Sequence, residues 1–292
     1  MLVRFKSAKR SRRSVALNAE DLESRLLLSF IFATDDLESD GHHRPGHGGG
    51  PGGGGGGGGG SDGPEIDLFA VALHEFGHSL GLQHSLADDG IPAVMDPFYT
   101  GPVSGLEAQD IARIQALYPE SGDSSGGQAW ASTDITYSFT PDKSRMDQGG
   151  RSALFSTMNK AFDGSEAVWK EIFSDALEEW AKASRADDTN TVLIFTEVTD
   201  NGAAFNARGD SQGDSNFGDI RISAHGFDGA SGTLAHAYFP PPNGRTAAGD
   251  AHFDKAENWK DLRGTLNSGS SSGGQSGGSG DLTLAVSTTV KD

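Results

Sequence analysis

The sequence predicts an α+β domain. Three segments carry helical apolar periodicity, several short β-type runs follow in a separate part of the chain, and two Gly-rich tracts at the ends cannot pack a core. Asp67 is placed to cap a helix that runs through Leu68, Phe69, Val71, Ala72 and Leu73. Residues 106–117 form a second helix, with Ile111, Ile114 and Leu117 on one stripe. Residues 167–183 form a third, whose apolar face is Val168, Ile172, Phe173, Leu177 and Trp180. Residues 135–139, 192–195, 220–222 and 233–239 read as strands. The chain thus divides into an N-terminal segment (1–33), a Gly/His-rich linker (34–63), a helix half (64–119), a polar joint (120–129), a strand half (130–263) and a Gly/Ser-rich tail (264–292). Residues 282–290 fit a strand fragment and a frayed end equally.

Composition narrows the function classes. A formal charge of −18 argues against nucleic acid or an anionic membrane as partner and suits hard cations. The absence of cysteine excludes disulfides and thiolate metal sites, leaving His, Asp and Glu as ligands. Residues 52–60 are unbroken glycine, a flexible linker without the nine-residue Asp period of a calcium-binding repeat. His42, His43 and His47 in that linker fit either loose metal binding or plain solvation.

The N-terminus is basic (Arg4, Lys6, Lys9, Arg10, Arg12, Arg13) and leads to an apolar run over 26–33, but Glu20, Asp21 and Glu23 break the order of a signal peptide. Residues 17–29 resemble the N-terminal motif of many large planctomycete proteins thought to be exported, which implies an extracellular or cell-surface location. The competing reading is an amphipathic helix without an address function. No run reaches the length of a transmembrane helix.

The chemistry sits in His74-Glu75-Phe76-Gly77-His78-Ser79-Leu80-Gly81-Leu82-Gln83-His84. On a helix, His74 and His78 stand four residues apart and project from one face toward one ion. Glu75 is displaced around the helix, where it reaches a metal-bound water rather than the metal. Gly81 can adopt the left-handed conformation that ends a helix, turning the chain so that His84 supplies a third nitrogen. Three protein ligands plus water is the open coordination of a catalytic zinc, whereas structural zinc is usually closed by four. The competing reading, a buried helix with incidental histidines, is disfavoured by the added glycine and third histidine.

The motif, Met95 and the Pro97-Phe98-Tyr99 that follows resemble the matrixins, the matrix metalloproteinase group of the metzincins. Phe227-Asp228-Gly229, Leu234-Ala235-His236-Ala237 and Gly249-Asp250-Ala251-His252-Phe253-Asp254, with Glu257 and Trp259, resemble the matrixin loop that holds structural zinc and calcium. The resemblance implies a metzincin-type zincin fold, a mixed twisted sheet plus three helices. Its halves stand in the opposite order to the family's, so the chain reads as a circular permutation. The alternative is two half-domains, each pairing with a partner in another chain. The joint from Pro119 to Trp130 spans at most about 35 Å at roughly 3.3 Å per residue.

By that resemblance His74, His78 and His84 bind catalytic zinc, Glu75 is the general base and Met95 lies under the histidines as an apolar floor. His225, His236 and His252 are candidate ligands of a second, structural zinc. The family's fourth ligand, an aspartate in a longer loop, has no counterpart in the shortened His225-Gly226-Phe227-Asp228. Asp228, Asp254 and Glu257 match one calcium site, and Asp219 with Asp250 another. The strand of Leu234 and Ala235 is expected to be an edge strand beside the histidine helix, open for an extended substrate to pair with. Pro97 and Tyr99 wall the pocket for the residue after the cut bond, and Ala70, being small, leaves that pocket deep enough for Leu, Met or Phe. Asp96 replaces the family's aromatic and brings a charge of unassigned effect; no cysteine is present to cap the zinc. The function implied is a zinc endopeptidase acting on polypeptides. The rival is a metal-stabilised adhesion or binding module that keeps the fold without turnover.

Overall fold

Asp67 accepts a hydrogen bond from the Ala70 amide at 3.2 Å and caps α1 (Leu68–Ser79), as its position before the apolar run predicts. The computed structural model describes residues 63–85, 93–119, 128–185, 192–241 and 245–267, together with the backbone of 28–32. The basic N-terminus, the linker histidines His42, His43 and His47, most of the joint and the tail beyond 267 lie outside the described residues. Every residue of α1 is buried, so this is a core helix rather than an amphipathic one.

The other helices are α2 (Ala108–Leu117), α3 (Leu154–Ala161) and α4 (Glu166–Ala183). The described residues therefore hold four helices, not the three expected. The missed one, α3, is two turns long, has no side-chain cap, and buries only Leu154 and Met158, too little for a periodic signal. In α4 the buried side chains Trp169, Ile172, Phe173, Leu177 and Trp180 recur at helical spacing and face α1 and the sheet. Trp180 Nε1 donates to Leu73 O at 2.8 Å, tying the second half of the chain to the middle of α1.

Nine strands are described: β1 (Leu28–Phe32), β2 (Glu65–Asp67), β3 (Phe98–Tyr99), β4 (Asp134–Phe139), β5 (Ile194–Glu197), β6 (Ile220–His225), β7 (Thr233–Ala237), β8 (Ala251–Asp254) and β9 (Asn258–Lys260). Seven form one mixed sheet in the order β3-β1-β7-β8-β6-β4-β5. The five from the strand half form one contiguous block that ends at the β5 edge; β7 is antiparallel to β8, and the other pairs among those five are parallel. β2 and β9 pair apart from it, in parallel. β8 was not anticipated, because Ala251, His252, Phe253 and Asp254 are all buried and show no alternation.

The two halves meet within one chain. The Tyr118 hydroxyl donates to Leu80 O (2.7 Å) and accepts from the Trp130 amide (3.2 Å), while Trp130 Nε1 donates to Ser79 O (2.9 Å). Both ends of the joint are therefore pinned to the C-terminus of α1, well inside the reach its length allows. Gly81 has φ +105°, and a Cβ there would lie 1.8 Å from Gln128 O, so glycine is required at this turn.

One sequence expectation about the sheet needs correcting. β7 is not an open edge: it pairs with β8 on one side and with β1 on the other. The strand covering it comes from residues read as the end of the N-terminal segment. A strand edge is competent for any backbone that reaches it, and periodicity cannot show which segment of the chain does.

Candidate metal centres

His74, His78 and His84 converge, with one ligand atom from each lying within 4.8 Å of the others. Their ring centroids are 4.7, 5.2 and 4.6 Å apart. Two rings are locked by the backbone: His74 Nδ1 lies 2.7 Å from Val94 O, and His78 Nδ1 lies 2.7 Å from Leu82 O. A carbonyl oxygen only accepts, so each Nδ1 carries the proton and each Nε2 keeps its lone pair. That is the tautomer a metal requires. Burial holds His74 down to about 3 and His78 well below its ordinary range, so both rings are neutral. The Nε2 atoms of His78 and His84 are buried without a hydrogen-bond partner among the described residues. A dication fits this donor set, and three nitrogens leave a coordination position open.

Both carboxylate oxygens of Glu75 are likewise buried and without a hydrogen-bond partner among the described residues, and burial raises its pKa well above the carboxylate range. A nearby dication offsets that cost by favouring the ionised form. Met95 is fully buried against the helix backbone: a Cβ at Gly77 would lie 2.2 Å from its Sδ. Asp96 can now be assigned a sign. Burial lowers the pKa of His84, and the Asp96 carboxylate opposes that shift, so its field favours a cation at this site.

Asp110 has a positioning role that the sequence did not suggest. Its Oδ2 accepts from the Val94 amide at 2.9 Å, and Val94 O in turn holds the His74 ring. The relay runs from α2 through the methionine turn to the first ligand. The only signal was the capping-box pairing of Asp110 with Glu107 at the start of α2, which reads as local helix chemistry.

The second cluster is tighter. Asp147 Oδ1 lies 2.7 Å from His225 Nε2 and 3.2 Å from His252 Nδ1, and Oδ2 lies 3.2 Å from His236 Nε2. His252 Nδ1 is 3.3 Å from His225 Nε2 and 3.1 Å from His236 Nε2. A zinc tetrahedron with bonds of about 2.0 Å has edges of about 3.3 Å, so these four groups match a closed site. The position of a fourth ligand, without a counterpart in the shortened loop, is taken by Asp147, from the turn before α3. Burial alone would raise the Asp147 pKa, but hydrogen bonding from the three histidines outweighs it and holds the carboxylate well below its usual range.

The acidic groups divide. Asp254 accepts from the Ala256 and Gly229 amides (2.9 and 3.3 Å), Glu257 from Ser231 (2.8 Å) and Asp228 from Thr233 (3.1 Å), which gathers one loop around three carboxylates. Burial first, then mutual repulsion, raises the pKa values of Asp254 and Glu257. The side chains of Asp219 and Asp250 are not joined in this way. Asp219 uses both oxygens on Thr136 and Gly213. Asp250 is fully buried, has no hydrogen-bond partner for either oxygen among the described residues, and faces the Arg221 guanidinium and Asp200. Arg221 makes a buried bidentate pair with Asp200 at 2.8 and 3.0 Å, so a positive charge already occupies this region.

Leu234 and Ala235 are fully buried on β7 beside α1. The Tyr99 hydroxyl accepts from the Asp67 amide at 2.9 Å, fixing the wall segment to the start of α1. Ala70, Val94, Phe98 and Tyr99 line a common cavity, but its volume is only about 20 Å³, room for about one water. The depth expected beside Ala70 is absent. A cavity of about 580 Å³ near Lys160, Lys255 and Trp259 lies away from both histidine clusters and holds none of their ligands.

Fold and site together define a zincin-like domain with an open three-histidine centre and a closed centre of three histidines and one aspartate. The matrixin family profile matches residues 33–119 and 129–272, and the chain belongs to that family. Matrilysin from Felis catus is 30% identical over 180 residues, covering 58% of this chain and 54% of its own. Matrix metalloproteinase-25 from Homo sapiens is 52% identical over 62 residues, 20% of this chain and 10% of its own. Karilysin from Tannerella forsythia is 61% identical over 33 residues, 11% of this chain and 7% of its own. The matched regions thus span about half or less of these relatives. No solved structure matches the chain.

Proposed function

We infer that the chain is a zinc-dependent endopeptidase. The observation that carries this reading is the buried Glu75 carboxylate, without a hydrogen-bond partner among the described residues, beside three converging imidazoles. A metal-stabilised scaffold needs the histidines but gains nothing from a buried carboxylate that costs stability. Zinc held at this centre would supply Lewis acidity and lower the pKa of water toward neutrality. Glu75 takes the proton of the attacking water and delivers it to the leaving amine. Full-length protein supplied with zinc is expected to cleave an unstructured polypeptide such as reduced, alkylated casein at neutral pH. A chelator stops the reaction and added zinc restores it. A zinc-loaded protein with no chelator-sensitive cleavage sinks the assignment.

The same reading places a structural zinc on Asp147, His225, His236 and His252. It places calcium on Asp228, Asp254 and Glu257, where carboxylates and loop carbonyls meet calcium's preference for oxygen. A ligand bound only to the folded state stabilises it by RT ln(1 + [L]/Kd), about 2.7 kcal/mol at a hundredfold excess over Kd. Calcium is therefore expected to raise the melting temperature of the wild type, and Asp254→Ala to blunt the rise. A wild type indifferent to calcium removes the site. The two-block family match and the joint pinned by Tyr118 and Trp130 support a circularly permuted matrixin. The motif-like residues 17–29 support export, and no helix among the described residues is long and apolar enough to cross a membrane.

A further inference from the structure

The three converging histidines do not share the same support. His74 and His78 belong to α1, where the helix fixes their backbone and Val94 O and Leu82 O fix their rings. His84 lies beyond the turn at Gly81, in residues 82–85, which form neither helix nor strand. No backbone carbonyl among the described residues holds its ring as the other two are held. The place of the third imidazole therefore depends on how the chain on either side of it is fixed.

Both sides are held by α2. Arg113 Nη2 donates to Gln83 O at 2.8 Å, and the Gln109 side-chain amide donates to Ser85 Oγ. Gln109 and Arg113 stand four residues apart, so one face of α2 reaches the residue before His84 and the residue after it. The Ser85 amide adds a bond to Met95 O at 2.8 Å. Arg113 makes no ion pair among the described residues, and its hydrogen bond there is the one to Gln83 O. Its charge works against an ion. Burial is the main cause of the lowered pKa values of His78 and His84, and the Arg113 charge pushes the same way in both. A guanidinium in this place can favour a bound cation only through the geometry it imposes.

We propose that Gln109 and Arg113 are positioning residues for His84, clamping its loop so that the third imidazole meets the ion held by His74 and His78. The proposal rests on the reading of these three histidines as zinc ligands. Asp110, on the same helix, acts on His74 through Val94. α2 thus aligns the first and the third ligand from one side. Removing a group that orients a metal ligand typically changes affinity by about tenfold to a hundredfold. A third ligand on an unclamped loop leaves the ion more readily, so the effect is read in zinc release.

The test uses full-length wild type, Arg113→Met, Arg113→Lys, Gln109→Ala and His84→Ala, each loaded with zinc and then mixed with an excess of a coloured chelator. His84→Ala identifies the release phase that belongs to the three-histidine centre. Arg113→Met keeps most of the side chain's length but removes donor and charge, and is expected to speed that phase about tenfold to a hundredfold. Arg113→Lys, which keeps a donor, is expected to restore most of the wild-type rate, and Gln109→Ala to speed release by a smaller factor. Release from the second centre is expected to stay unchanged throughout. Wild-type release in both Arg113→Met and Gln109→Ala overturns the proposal while leaving the zinc reading intact. Slower release in Arg113→Met also overturns it, because the field of the guanidinium then outweighs its clamp. Faster release from both centres overturns it by making these residues supports of the whole fold. A wild type with no phase that His84→Ala removes overturns the proposal and the zinc reading together.

Discussion

Glu75→Ala is expected to retain its metal and to lose turnover by a factor on the order of 10²–10⁴, the range for deleting a positioned acid–base group. The ligand geometry explains why the two effects separate. His74 and His78 are oriented by Val94 O and Leu82 O, and neither of those contacts involves Glu75. The carboxylate also makes no hydrogen bond among the described residues, so its removal breaks no network. Zinc content per chain and initial cleavage rates decide the matter together. Wild-type rates in the variant would remove Glu75 from the mechanism, and zinc lost along with activity would make it a ligand instead.

Asp147→Ala is expected to act on stability. The side chain is buried against three histidines, and removing one member of a buried charged group costs about 3–5 kcal/mol. At about 2–4 °C per kcal/mol for a domain of this size, the melting temperature should fall by about 6–20 °C. Zinc content should fall from two ions to one, with the remaining ion sustaining cleavage at temperatures where the variant is folded. A variant that binds two zinc ions and melts like the wild type would show that Asp147 is no ligand. A wild type binding a single zinc would empty the second centre altogether.

Legibility followed the range of the interactions. The convergence of His74, His78 and His84 was readable because these residues, Glu75 and the helix cap fall within residues 67–84, where spacing alone dictates geometry. The three histidines of the second centre were readable from resemblance, but Asp147 was not, since a lone acid in a turn resembles any solvated one. The shortened loop at His225 signalled that a ligand was missing without showing where it came from. β8 was hidden by the same chemistry that makes it useful: its His252 and Asp254 interrupt the apolar run that a buried strand otherwise shows. The different partners of Asp219 and Asp250 were not legible, because Arg221, which sequence position marks as an ordinary strand residue, is buried beside Asp200 and faces Asp250. The covering of β7 depended on contact between remote segments, which no local pattern reports.

The pairing of β2 with β9 bears on the timing of synthesis. The cap of α1 is completed from the far end of the domain: Asp67, besides capping Ala70, accepts from the Leu262 amide at 2.8 Å, and β2 pairs with Asn258–Lys260. His74, His78 and His84 are thus among the earlier residues of the domain to leave the ribosome. The packing surfaces of α1 on α4 and the sheet, and its last hydrogen bonds, are among the last to be made. At roughly 5–20 residues per second, that leaves on the order of 10–40 s in which the histidine helix emerges without its partners. The histidine cluster thus takes its final surroundings only after the strand half has been made.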